Sequence, residues 1–261
     1  MSKTPPRTGL RFAFGTLTVL PVGVTRWDRE TARAGMMAAP IVGTVVGACS
    51  AGLGLLLLFL GASPLLAAVG TVAVPAVLTR GLHLDGLADT ADGLGSGKPA
   101  EDALRIMKQS DIGPFGVLSL VFVLLAQVAA LAQLYDDSWA RGAAAAIVSA
   151  AASRLALTWA ARAGVPAARP EGLGAAVAEV VPVGGAVAVT VSYLVISAAL
   201  GPFFGAQGRV RAVVAVVVAL VVAELLLRHC RRRFGGVTGD VFGGLAETAA
   251  TTALVVIALG G

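Results

Sequence analysis

Three carboxylates, Asp85, Asp89 and Asp92, stand in the stretch HLDGLADTADG (residues 83–93), between two long apolar runs. On a helix the spacings i, i+4 and i+7 put all three along one stripe. Unneutralised, such neighbours repel and raise one another's pKa. A divalent cation removes that cost, and oxygen-only ligands suit Mg²⁺ or Mn²⁺ over zinc. Gly86 and Gly93 each follow an aspartate directly, so backbone or a phosphate can approach closely there. The competing reading is a solvated loop whose aspartates cap helices. His83 has three roles open to it: general base, donor to a phosphate, or structural hydrogen-bonding residue.

A second acidic pair, Asp240 and Glu247, lies in GGVTGDVFGGLAE (residues 235–247). The two are i, i+7 and share a helical face at the start of the last apolar run. Gly235, Gly236, Gly239, Gly243 and Gly244 make this segment permissive for close helix packing or for a phosphate. A carboxylate two turns into a membrane span, as at Glu247, is costly unless paired or hydrated, which makes it a functional candidate. Between the two motifs, RIMKQSDIGPFG (residues 105–116) places Lys108, Ser110 and Asp111 before a Gly-Pro break. Lys108 is either a phosphate contact or a topology marker. Arg154, inside an apolar run, needs a partner, and its guanidinium fork suits an aspartate of the cluster or a ligand phosphate.

The elements that position these residues are membrane spans. The chain has 261 residues, 57% of them hydrophobic and 13% charged, and its mean hydropathy is +0.85. The apolar residues come in long blocks rather than in the alternation of a membrane β-barrel. This predicts an all-α, polytopic membrane protein with about seven transmembrane helices, near 34–60, 62–79, 113–135, 140–161, 181–201, 210–227 and 241–260. Residues 9–24 read as interfacial or re-entrant. Residues 1–261 read as one integral membrane domain, with the first 33 residues cytoplasmic or interfacial. Cys49 and Cys230 have neither disulfide nor metal-knuckle spacing. The segment MSKTPPRTGLRF lacks a signal-peptide pattern.

Orientation follows from the basic residues. With the N-terminus cytoplasmic, sixteen of the 20 lysines and arginines fall on the inner side. Arg141, Arg209 and Arg211 fall outside, and Arg154 is within a span. The pI of about 9.9 is thus explained by topology rather than by nucleic acid. All the polar motifs then face the cytoplasm. The arginine-rich, Ala-, Gly- and Val-heavy composition points to a GC-rich bacterial genome and hence to the bacterial inner membrane.

These motifs resemble the membrane cobalamin synthases, the adenosylcobinamide-GDP ribazoletransferases. The likeness rests on GLHLDGLADTADG (81–93), RIMKQSDIGPFG (105–116), SR (153–154), EGLG (171–174) and GGVTGDVFGGLAE (235–247), in that order along nearly the whole chain. Family members typically carry glycine where this chain has Arg80, and often an acidic residue where Gln109 stands. The resemblance implies attack by a ribose hydroxyl of α-ribazole, or of its 5′-phosphate, on the cobinamide-linked phosphate of adenosylcobinamide-GDP. GMP leaves, and Mg²⁺ is required. It implies metal binding by Asp85, Asp89 and Asp92, with Asp240 and Glu247 as a second metal-side pair or a base. Catalytic candidates are His83 and Asp89; substrate or phosphate contacts are Lys108, Ser110, Arg154 and Gly239. Membrane lipid is the surrounding partner, and a homo-oligomer is left open.

Two rivals are weaker. A CDP-alcohol phosphotransferase also uses aspartates at the membrane edge, but its motif needs an Ala-Arg element and a second half that DGLADTADG lacks. A cation-coupled transporter would use Asp85, Asp89 and Glu247 as ion sites, but such sites usually lie near the bilayer midplane. No internal repeat is visible.

Overall fold

The computed structural model describes residues 6–204 and 207–259. Lys3 of the basic N-terminal segment, residues 205–206 of an expected outer loop, and residue 260 of the last expected span lie outside the described residues. The order is α1 (Pro6–Leu17), α2 (Arg29–Phe59), α3 (Pro64–Leu78), α4 (Leu82–Gly95), α5 (Ala100–Ile106) and α6 (Pro114–Asp137). There follow α7 (Trp139–Ala160), α8 (Gly172–Val177), α9 (Val183–Leu200), a 3₁₀ turn (Gly201–Phe204), α10 (Gly208–Phe234) and α11 (Gly239–Ala258). Among the described residues there are two isolated parallel bridges and no strand. Six helices (α2, α6, α7, α9, α10 and α11) are long and apolar enough to cross a membrane, and the bent pair α3–α4 makes a seventh if counted as one span. The all-α, multi-pass architecture expected from the sequence is the one observed.

The helix at the centre is the least apolar of these spans. The best window of α7 has a mean hydropathy of 1.4, against 2.7 for α10. The reason is that α7 faces protein rather than lipid, and its alanines and glycine are small enough to admit neighbours closely. A Cβ on Gly43 of α2 would stand 2.7 Å from the Ala151 Cα, and one on Gly47 2.8 Å from the Ile147 Cα. Large aliphatic side chains such as Leu56, Val195 and Leu225 instead point outward.

Helix ends are set by local chemistry. Asp28 caps α2, accepting from the Thr31 N–H at 2.9 Å, so the helix starts at Arg29 rather than near 34. The segment 80–112, which links two of the expected spans, carries α4 and α5. Helix α1 covers part of the expected interfacial stretch and lies on α2, with Phe12 buried against Gly35.

The bend between α3 and α4 positions the acidic stripe. It measures 87°, so α4 turns out of the span and lies across the end of the bundle. The turn is a Schellman motif: the Gly81 N–H donates to the Ala76 carbonyl at 2.7 Å and the Arg80 N–H to the Val77 carbonyl at 3.1 Å. Both residues are left-handed, with φ of 53° at Arg80 and 72° at Gly81. For a non-glycine residue this conformation costs about 1–2 kcal/mol.

The segment after α7 is strapped to the same end of the bundle. Val237 N–H donates to the Pro166 carbonyl and Ala168 N–H to the Val237 carbonyl, both at 2.9 Å. Arg29 and Arg33, read from sequence as topology markers, also tie this strap down by donating to the carbonyls of Ala178 and Val180.

Candidate active site

Glycine contacts bring the two acidic motifs together. Where α4 crosses α11, a Cβ on Gly86 would fall 2.6 Å from the Asp240 carbonyl oxygen, and one on Gly243 2.9 Å from the His83 carbonyl oxygen. Backbones this close leave no room for a side chain. Asp85 and Asp89 are thereby laid beside Asp240, in the first turn of α11. Gly86→Ala or Gly243→Ala should force the helices apart and lower the melting temperature in detergent, at a cost of about 1–3 kcal/mol. Gly239→Ala, whose Cβ would meet nothing within 4 Å, should not destabilise.

Electrostatics record the crowding. Asp85 is exposed and Asp89 half-buried. Neither has an ion pair among the described residues. Partial burial pushes the Asp89 carboxyl up to about 7, and the charges of Asp85, Asp240 and Asp92 add to the shift. Asp240 is partly balanced: Arg169 Nη1 lies 3.6 Å from its Oδ2, and Thr238 Oγ1 donates to it at 3.1 Å.

Asp92, expected with Asp85 and Asp89, and Glu247, expected with Asp240 as a second metal-side pair or a base, are engaged elsewhere. Asp92 is buried and turned toward α6, where Oδ2 accepts from Gly113 N–H at 2.8 Å and Oδ1 from Gly116 N–H at 2.9 Å. It satisfies the first-turn amides of α6, a place where the helix dipole also favours an anion. Glu247 lies deeper, accepting from Gln127 Nε2 at 2.9 Å. It lines a small cavity of about 50 Å³ that Arg154 also lines. Arg154, expected beside an aspartate of the cluster or a ligand phosphate, instead donates to Ser153 Oγ and to His83 Nδ1, the latter at 3.2 Å.

That last contact narrows the role of His83. A guanidinium can only donate, so Nδ1 is the acceptor and the ring proton sits on Nε2. His83 in this geometry has no free lone pair, and the general-base reading gives way to that of a donor. Its buried Nε2 has no protein partner, and the residue lines the cleft described next.

Two clefts flank Asp85, which lines both. One, of about 580 Å³, also holds His83, Lys108, Arg169, Glu171, Gly239 and Asp240. The other, of about 900 Å³, holds Arg80, Asp89, Gln109, Ser110 and Asp111. Lys108 Nζ bonds Glu171 Oε1 at 2.8 Å, tying the α5–α6 loop to the strap. The sequence reading singled out neither Arg169 nor Glu171 as functional. Glu171 sat inside the quoted EGLG motif, whereas only the fold brings Arg169 to Asp240. Among the described residues no three His, Cys, Asp or Glu side chains form a ready-made metal cage.

Fold and site together define a polytopic helical membrane protein with an open acidic centre between two clefts at one end of the bundle. A sequence profile of the cobalamin-5-phosphate synthase family matches residues 9–258, and the chain belongs to that family. It is 43% identical to the adenosylcobinamide-GDP ribazoletransferase of Frankia casuarinae, over 95% of this chain and 94% of that protein. The protein of the same name from Nocardioides sp. is 40% identical over 95% and 97%, and that of Brevibacillus brevis 31% over 94% and 95%. No solved structure matches the chain.

Proposed function

We propose that this chain is an adenosylcobinamide-GDP ribazoletransferase. It joins α-ribazole, or its 5′-phosphate, to adenosylcobinamide-GDP and releases GMP. The carrying observation is the convergence of Asp85, Asp89 and Asp240 where two clefts meet, with Asp85 lining both. A two-substrate transfer needs such a shared point.

In this reading a ribose hydroxyl forms a bond to the phosphorus attached to cobinamide while the bond to the GMP oxygen breaks. The nucleophile belongs to the substrate, so no covalent enzyme intermediate is needed. The chain's task is to position the groups and balance their charge. Asp85, Asp89 and Asp240 suit Mg²⁺, which takes one or two carboxylates plus substrate phosphates and needs no complete protein cage. Bound there, Mg²⁺ would neutralise charge on the diphosphate. Lys108 and Arg169 bring positive charge to one cleft, Ser110 a hydroxyl to the other, and the His83 Nε2–H a fixed donor. Asp92, Arg154 and Glu247 hold the helices that carry these groups.

The protein sits as a single integral domain in a bacterial cytoplasmic membrane, N-terminus inside, with the site facing the cytoplasm and no role for nucleic acid. The basic-residue asymmetry supports this orientation. The direct test is GMP release by purified protein from adenosylcobinamide-GDP plus α-ribazole, with and without Mg²⁺. Mg²⁺-dependent GMP is the expected result. Its absence, or CMP release from CDP-diacylglycerol and an alcohol, would overturn the reading.

A further inference from the structure

Three basic residues line the two clefts beside the acidic centre, and two of them are already occupied. Lys108 is bonded to Glu171. Arg169 reaches Asp240 and also donates to the Leu104 carbonyl. Arg80, in the 900 Å³ cleft, has no side-chain hydrogen bond or ion pair among the described residues. This is so although Asp85, Asp89 and Asp111 line the same cleft. Arg80 is exposed, and its guanidinium pairs with none of the three carboxylates that line its cleft.

The backbone sharpens the point. Arg80 occupies the left-handed position of the Schellman turn that ends α3, a site where glycine closes the turn without strain. The two hydrogen bonds of the turn and the adjoining left-handed Gly81 hold the residue in place. Backbone strain of this kind is tolerated where the side chain is needed, and the side chain here lines the wall of the cleft. Its planar fork fits two oxygens of one phosphate.

We propose that Arg80 is a phosphate-binding residue of this chain, taking a substrate phosphate in the cleft beside Asp85 and Asp89. The identity of that phosphate rests on the transferase reading above. Two sources share the chemistry: the diphosphate of adenosylcobinamide-GDP, and the 5′-phosphate of α-ribazole 5′-phosphate.

The test compares Arg80→Gly, Arg80→Ala and Arg80→Lys with the unaltered protein in lipid nanodiscs. Glycine should relieve the turn and raise the melting temperature by about 2–4 °C, yet weaken binding. KM should rise about 10-fold for Gly and Ala and less for Lys. A rise confined to α-ribazole 5′-phosphate, sparing free α-ribazole, assigns the acceptor's phosphate. A rise for adenosylcobinamide-GDP with either acceptor assigns the diphosphate. Unchanged KM values for all three substrates overturn the proposal.

Phosphate binding is also read without turnover. Inorganic pyrophosphate should raise the melting temperature of the unaltered protein and not that of Arg80→Ala. Equal shifts, or none in either, overturn the proposal, whereas failure of GMP release alone overturns only the transferase assignment.

Discussion

In Asp89→Asn, Mg²⁺-dependent GMP release falls by about 10³-fold, the scale of losing a principal charge-stabilising group at a phosphoryl centre. The protein still inserts and folds, because Asp89 makes no side-chain hydrogen bond or ion pair among the described residues and is only half-buried. The same substitution removes a pH signature. The Asp89 carboxyl titrates near 7 in the folded chain, from an ordinary value of 3.8. The folded state therefore binds a proton that the unfolded state has released. With the metal withheld, stability from this group is lost as pH rises from about 4 to about 7 and is constant above. Mg²⁺ competes with that proton, so its stabilising effect should grow over the same window and level off above pH 7. Melting curves at pH 5 and pH 8, with and without Mg²⁺, check both signs. Equal Mg²⁺ shifts in the Asn variant and the unaltered protein would remove Asp89 from the metal site.

The second large effect is on folding. Arg154 is 2% exposed and Glu247 9%, and they attract across the small cavity they share. Removing one partner leaves an uncompensated charge inside the bundle, which costs about 3–5 kcal/mol. Arg154→Leu should therefore yield little monodisperse protein and a melting temperature lowered by many degrees. Combining it with Glu247→Gln, which removes the stranded charge and keeps an amide for Gln127, should restore part of the loss, the unpaired His83 Nδ1 accounting for the rest. A single variant as stable as the unaltered chain would show that the attraction contributes nothing to the fold.

The spans were legible because lipid imposes a simple rule on sequence, about 20 apolar residues for each crossing. Asp85 and Asp89 were legible for a similar reason, since helical periodicity alone sets them on one face. Asp92 has the same spacing but not the same fate. Its partners are amides of Gly113 and Gly116 on another helix, and periodicity carries no information about them. The glycines of the two acidic motifs were visible as permissive positions. That Gly86 and Gly243 meet each other's helices required the crossing itself. His83 is the clearest gain: sequence left three roles open, and one hydrogen bond from Arg154 fixes which nitrogen carries the proton. Arg80 stood out in sequence only as a departure from a family glycine, and the left-handed turn supplies the physical reason for that glycine.

The glycine crossing of α4 and α11 also bears on how the protein is made. Asp85 and Asp89 leave the ribosome well before Asp240, which emerges with α11. Until that segment enters the bilayer, the first two carboxylates have no third to stand beside, and the wall of the smaller cleft is missing. A nascent chain stalled before α11 would present Asp85 and Asp89 without Asp240. The three carboxylates therefore stand together only once α11 has packed onto α4.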